Sequence, residues 1–246
     1  MNQLQFILDM HCHTSASDHG YSTLEENLTR AREIGLKLVG ISDHGPAMSD
    51  SPPLSHFMDI LKLPSVICKM PWLKGTEANI IDCKGGLDIP DDILSDLDFC
   101  IASIHSSLFL PGDAEKNTAA VIGVMNNPNV NIIGHLGDCR VPINIKPIIT
   151  AAKKTGTIIE INNKSLIPDT RRYDGGIALW EILGHCKEQG VPIIAGSDAH
   201  VAKHVGRLKL AKKLIKKSGI DESLVMNTSV ENFTKNVRSK NERSIY

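Results

Sequence analysis

Seven short apolar runs recur along this chain, near residues 5–10, 37–42, 71–76, 98–104, 130–134, 157–161 and 192–197, and stretches of helical period fill most of the intervals. Near-continuous runs of Ile, Val and Leu are the pattern of strands buried on both faces, as in a parallel sheet covered by helices. The clearest helix lies within Ser22 to Gly35. Thr23 can cap with Glu26, Leu24, Leu28, Ala31 and Ile34 line one face, and Gly35 ends it. Further helices are predicted over 55–69, 117–126, 144–154, 176–189 and 204–217. About seven strand-helix units in 246 residues predict one α/β domain, residues 1–246, as a closed or nearly closed barrel. Residues 78–97 break the pattern: a Gly-rich turn at Cys83–Gly86 between Asn79–Asp82 and Leu87–Ile89 predicts a hairpin leaving the barrel.

Seven of the ten histidines follow these runs or lie close behind one. They are His11 and His13, then His19, His44, His105, His135 and His200, with Glu77 and Asp198 in equivalent places. One histidine at a strand end is most often an ordinary polar residue. Nine nitrogen and oxygen donors at the same kind of position, in a fold whose working residues gather at strand C-termini, predict a site for more than one metal ion. Alternate residues of a strand share a face, so His11 and His13 can reach one ion together, and the two oxygens of Glu77 suit a bridge. Imidazole and carboxylate fit Zn, Mn, Fe or Co better than Mg or Ca. Asp9 and Asp43 each precede a candidate ligand and are candidates to orient imidazoles. His56, His185 and His204 stand outside the pattern and read as structural or solvated.

Composition narrows the function. A net charge of -1 gives no bulk attraction to nucleic acid or anionic membrane, and five Phe, two Trp and three Tyr offer few stacking surfaces. The lysines and arginines between Lys203 and Lys217 fall mostly opposite an apolar stripe and read as a solvated helix face. No run approaches the ~20 apolar residues of a membrane span, and no basic segment leads into an apolar leader. Six scattered cysteines without a C-x-x-C pair predict a reduced, cytoplasmic protein without a disulfide framework.

The array Asp9-Met10-His11-Cys12-His13-Thr14, His19, Ser42-Asp43-His44-Gly45, Gly75-Thr76-Glu77-Ala78-Asn79, His105, Gly134-His135, Glu160-Ile161-Asn162-Asn163 and Ser197-Asp198-Ala199-His200 resembles the PHP (polymerase and histidinol phosphatase) superfamily. It looks most like the small stand-alone bacterial PHP phosphatases. The resemblance implies a distorted (β/α)7 barrel, similar to a TIM barrel, with a trinuclear centre, zinc being the expected ion. It assigns one ion to His11, His13, Glu77 and Asp198, a second to His19, His44 and His200, and a third to Glu77, His105 and His135. Leu136, where the family often has Pro, and Ser106-Ser107 after His105 depart from the pattern without removing a ligand.

The chemistry expected is phosphoester hydrolysis of a small phosphorylated substrate by a metal-bound hydroxide, without a protein nucleophile. Arg171 and Arg172 are candidates to bind the phosphate through their planar forks. A phosphodiesterase or nuclease, and an inactive metal-binding module, are the alternatives. A metal-dependent amidohydrolase shares the H-x-H pair, but Glu77, His105 and Asp198-x-His200 favour the phosphatase.

Overall fold

The computed structural model describes residues 4–242 except Asp18, Asp50, Ser107, Phe109, Leu110, Pro111, Asp169 and Gly175, with the side chains of 238–242 also undescribed. Strands and helices alternate as β1 (Leu8–Cys12), α1 (Leu24–Glu33), β2 (Leu38–His44), α2 (Leu54–Leu61), β3 (Val66–Ile67), β4 (Met70–Asn79), α3 (Asp91–Asp96) and β5 (Phe99–Ser103). They continue as α4 (Ala114–Met125), β6 (Ile132–Ile133), α5 (Ile145–Thr155), β7 (Ile158–Asn162), α6 (Ile177–Gln189), β8 (Ile193–Gly196), α7 (Lys209–Ser218) and α8 (Val230–Glu242). Seven strands pair in parallel in the order β1-β2-β4-β5-β6-β7-β8, and β3 pairs antiparallel to β4. The fold is a nearly closed, distorted (β/α)7 barrel.

Two kinds of contact join the open edges. Toward the strand C-termini, Cys12 bridges Ala199 and His13 N donates to Ala199 O at 2.8 Å. Deeper in, buried Asn227 spans β1 and β8: its Nδ2 donates to Leu8 O (3.0 Å) and Ala195 O (2.9 Å), and its Oδ1 accepts from Ala195 N (2.7 Å).

Strand alternation divides the interior by depth. Leu8, Leu38, Phe99, Ile101, Ile132, Ile158 and Ile194 form an apolar plug with Phe233 and Val237 of α8. The same faces continue toward the C-terminal ends as polar residues, in series such as Phe99-Ile101-Ser103-His105, Ile158-Glu160-Asn162 and Ile194-Gly196-Asp198. A register shift in β1 between Asp9 and Cys12 is the irregularity that brings His11 as well as Met10 inward. The alternate faces pack under the helices, where Val39, Ile41, Cys100, Ala102, Ile159 and Ile161 are buried.

Most predicted elements occur. Thr23 and Glu26 form a reciprocal capping box, and the turn at 82–86 joins a short hairpin closed by an Ile80–Leu87 bridge. The helix predicted over 55–69 ends at Leu61, because Pro64 cannot continue it; the chain then runs as β3, and left-handed Cys68 and Lys69 turn it back into β4. The helix predicted from 204 begins at Lys209, after a 3-10 turn over Ala202–His204 and left-handed Gly206. Among the described residues, no helix is long and apolar enough to cross a membrane.

Candidate metal centre

All nine predicted donor residues gather at the C-terminal end of the barrel. Glu77, near the end of β4, is the hub. Its Oε2 lies 3.3 Å from His11 Nε2, 3.4 Å from His13 Nε2 and 3.0 Å from His44 Nδ1. Its Oε1 lies 2.9 Å from His135 Nε2 and 3.5 Å from His105 Nε2. Asp198 Oδ1 stands 3.7 Å from His13 Nε2, and the His200 ring lies 4.3 Å from that of His13. His19 stacks on His200 with centroids 4.5 Å apart. Donor atoms within 4.8 Å of one another form three sets: His11, His13 and Asp198; His13, His44 and His200; and His44, Glu77 and His105. These sets share His13 and His44, so they do not by themselves divide the donors as the resemblance does.

Among the described residues, five buried ring nitrogens lack a hydrogen-bond partner: His11 Nε2, both nitrogens of His13, His44 Nδ1 and His200 Nε2. A buried polar atom without a partner costs about 1–3 kcal/mol. Clustered lone pairs around a carboxylate fit divalent cations, which would satisfy them. His19, His135 and Asp198 also hold left-handed backbone (φ 49°, 29° and 54°). Each such conformation costs on the order of 1–3 kcal/mol and recurs at functional sites.

Groups outside the donor set fix several ring orientations. Asn79 Nδ2 donates to Asp88 Oδ2 (2.6 Å) and Gly45 O (3.1 Å), so its Oδ1 is the atom facing His105 Nδ1 at 2.7 Å. His105 Nδ1 therefore carries the hydrogen and Nε2 presents its lone pair to the centre. Glu160 Oε1 does the same for His11 Nδ1 at 2.6 Å, and the Asp198 carbonyl for His200 Nδ1 at 3.0 Å. Burial first of all lowers His13 well below the ordinary histidine value, and holds both His105 and His200 at about 4. Neutral imidazole is the form a metal binds. Burial alone would raise the Asp198 carboxyl, but Lys164 and Arg172 bring it well below the usual range.

Asp9 and Asp43 do not meet the rings of the donor histidines. Asp9 accepts from the backbone of Ser197 (3.1 Å) and Gly206 (2.9 Å). Asp43 accepts from Thr14 N (2.7 Å), Thr14 Oγ1 (2.8 Å) and Ser17 Oγ (2.6 Å), and from half-buried His56 at 3.2 Å. Both carboxylates tie neighbouring segments together, and the imidazoles are oriented by Glu160 and Asn79 instead. Arg172 reaches inward, 2.6 Å from Asp198 and 3.5 Å from Asp138, whereas Arg171 is exposed. Leu136 is buried beside His135, and Ser107 lies outside the described residues. Asn79 was open to sequence reasoning, since it shares a strand face with Glu77 two residues before it. Lys164, 3.3 Å from Asp198, gave no such signal.

The PHP domain profile matches residues 9–243. This chain belongs to the PHP domain family. A probable phosphatase of Acetivibrio thermocellus is 42% identical over 240 residues, covering 98% of each chain. One of Thermoanaerobacter sp. is 43% identical over 241 residues, again covering 98% of each. The fold is shared with histidinol phosphate phosphatase from Lactococcus lactis, solved with zinc, L-histidinol and phosphate, at a TM-score of 0.59 and 20% identity, over 87% of this chain and 94% of that one.

Proposed function

We propose that this PHP protein is a phosphoric ester hydrolase, a metal-dependent phosphatase acting on small phosphomonoesters. The observation that carries the reading is the set of partnerless buried imidazole nitrogens around Glu77, at the barrel end where such folds work. Relatives named probable phosphatases, more than 40% identical over almost the whole length, support the same reaction class.

The division of ligands we favour puts one ion on His11, His13, Glu77 and Asp198, one on His19, His44 and His200, and one on Glu77, His105 and His135. Zinc is the favoured ion, supported by the imidazole-rich donor set and by the zinc in the Lactococcus lactis neighbour, with Mn, Fe and Co the alternatives. Divalent ions bound there supply Lewis acidity toward phosphate and acidify water, so hydrolysis needs no nucleophile from the protein. The chain's own part is to hold the ligand rings in one tautomer and to bring cations to the phosphate. Arg172 and Lys164, both paired with Asp198, are placed for the second task. The scattered cysteines, with no C-x-x-C pair among them, support a reducing cytoplasm as its setting.

The test is elemental analysis of metal-reconstituted protein, with hydrolysis assays on an aryl phosphomonoester and the matching diester, and His105→Ala as control. About three ions per chain, with monoester turnover that drops at least a hundredfold in the variant, are expected. Turnover of the diester alone would make the protein a phosphodiesterase. Less than one ion per chain would rule out the multinuclear centre.

A further inference from the structure

The metal end of the barrel opens into a cavity of about 380 Å³. Part of its lining is His19, Asp198 and His200. The rest includes Lys164, His204 and Arg207, with Tyr21 and Ile167 adding apolar surface.

The charges in this lining do not balance. Among the described residues of the lining Asp198 is the one carboxylate, and it already faces Lys164 at 3.3 Å and Arg172 at 2.6 Å. Among the described residues, neither Lys203 nor Arg207 has a carboxylate ion-pair partner. Burial, and then the neighbouring Arg207, Lys203 and Lys164, hold the His204 imidazole below its ordinary value, so that ring sits amid three cations. Unneutralised cations around a concave site focus their field on an incoming anion.

The segment bearing these groups is fixed in place. Ala202 N donates to Ser22 Oγ at 2.9 Å, and Gly206 N to the buried Asp9 carboxylate at 2.9 Å. Gly206 is left-handed (φ +72°), and a Cβ there would come within 2.4 Å of Ile34 Cδ1. The chain thus spends a buried carboxylate of β1 on the turn that presents Arg207. A reacting phosphate at the metal centre has Arg172 and Lys164 beside it, which leaves His204 and Arg207 for a different anion.

We propose that the cavity binds a second anionic group of the substrate, through Arg207 and His204, and that the substrate is a small doubly anionic molecule, a bisphosphate or a phosphorylated carboxylic acid. This rests on the phosphatase reading above. The apolar surface of Tyr21 and Ile167 would accompany the short spacer between the two anions.

The test compares kcat/KM for n-alkyl monophosphates with α,ω-alkane bisphosphates and ω-carboxyalkyl phosphates of two to six carbons, on zinc-reconstituted protein. At one spacer length the second anion should raise kcat/KM by about tenfold or more, the scale of a charge-assisted hydrogen bond. Whether the bisphosphate or the carboxylate series gains more identifies the anion. Arg207→Gln should bring that ratio to near unity, and His204→Gln should lower it. Lys213→Gln, an exposed lysine of α7 outside the cavity lining, should leave it in place. A ratio below about threefold at every length, or an Arg207→Gln effect equal on mono- and dianionic esters, overturns the proposal. Failure to hydrolyse any monophosphate despite bound metal would count against the phosphatase reading itself.

Discussion

At the scale of single residues, the site depends on atoms that never touch its centre. Asp88 accepts from both the backbone and the side-chain nitrogen of Asn79 (2.8 and 2.6 Å). That pair fixes the Asn79 amide, which fixes the hydrogen on His105 Nδ1. Asn79→Ala removes the acceptor and lets the ring rotate or change tautomer. Removing such an outer partner typically costs 10–100-fold in metal affinity, and a loss of about that size is expected here. Competition against a chromophoric chelator measures it, with the melting temperature of metal-free protein as the check on folding; unchanged affinity would show that the ring needs no such support. The donor residues themselves were legible because seven histidines recur at equivalent strand ends, which single polar residues there do not explain. Asn79 and Glu160 were harder, since an amide or acid at a strand end is common and its role depends on a partner over 20 residues away in sequence. His204 and Lys164 were not legible: nothing local shows that their loops meet over one cavity.

At the scale of elements, the hairpin after β4 holds Asp88 in reach of Asn79, and two glycines seat it on α4. Gly85 is left-handed (φ +87°) with Val124 N where its Cβ would lie, at 2.2 Å. A Cβ on Gly123 would meet Lys84 O, also at 2.2 Å. Replacing a helical glycine by alanine gains at most about 1 kcal/mol in propensity, less in a last turn such as that of Gly123. Forcing backbone apart costs about 1–3 kcal/mol, often more, so the overlap should win. Gly123→Ala is expected to lower the melting temperature by a few degrees, measured by calorimetry, and to weaken metal binding in the same direction as Asn79→Ala. A raised melting temperature would mean that the hairpin gives way at no cost. The strands and this hairpin were visible in the sequence because buried parallel strands are apolar throughout and Gly-rich turns are punctuated. The end of α2 was misplaced because the helical pattern was read through Pro64. Helix α8 escaped because its buried face is mainly Phe233 and Val237, with polar residues around them, until the barrel floor supplies a partner.

At the scale of the whole molecule, the barrel buries a cluster of imidazoles that water would protonate in mild acid. His105 and His200 titrate near 4 in the folded protein, against 6.5 in a free side chain, with burial the largest cause for both. The sign follows from which state binds the proton. Above pH 6.5 both states leave these rings neutral, and they give stability no pH dependence. Between 6.5 and 4 the unfolded chain takes up protons that the folded chain refuses, so stability falls as pH falls. Below about 4 the folded rings protonate too, and the loss levels off. Depressed carboxylates such as Asp198 and Glu77 lose their contribution only below their unfolded values of 3.8 and 4.5, and so do not dominate the upper window. From pH 7 to pH 5 the two rings together should remove roughly 4 kcal/mol from the metal-free protein, at about 1.4 kcal/mol per pH unit each below 6.5. Thermal unfolding of chelator-treated protein at intervals across that range measures it. Replacing both residues by Asn should make the curve shallower by about that amount, because Asn has no proton to gain, while His13, also lowered by burial, keeps its share of the slope. A metal-free melting temperature that holds steady from pH 7 to pH 5 would mean that the empty centre relaxes to admit water and that its rings titrate like exposed ones. The geometry of the centre would then be set by its metal rather than by the barrel.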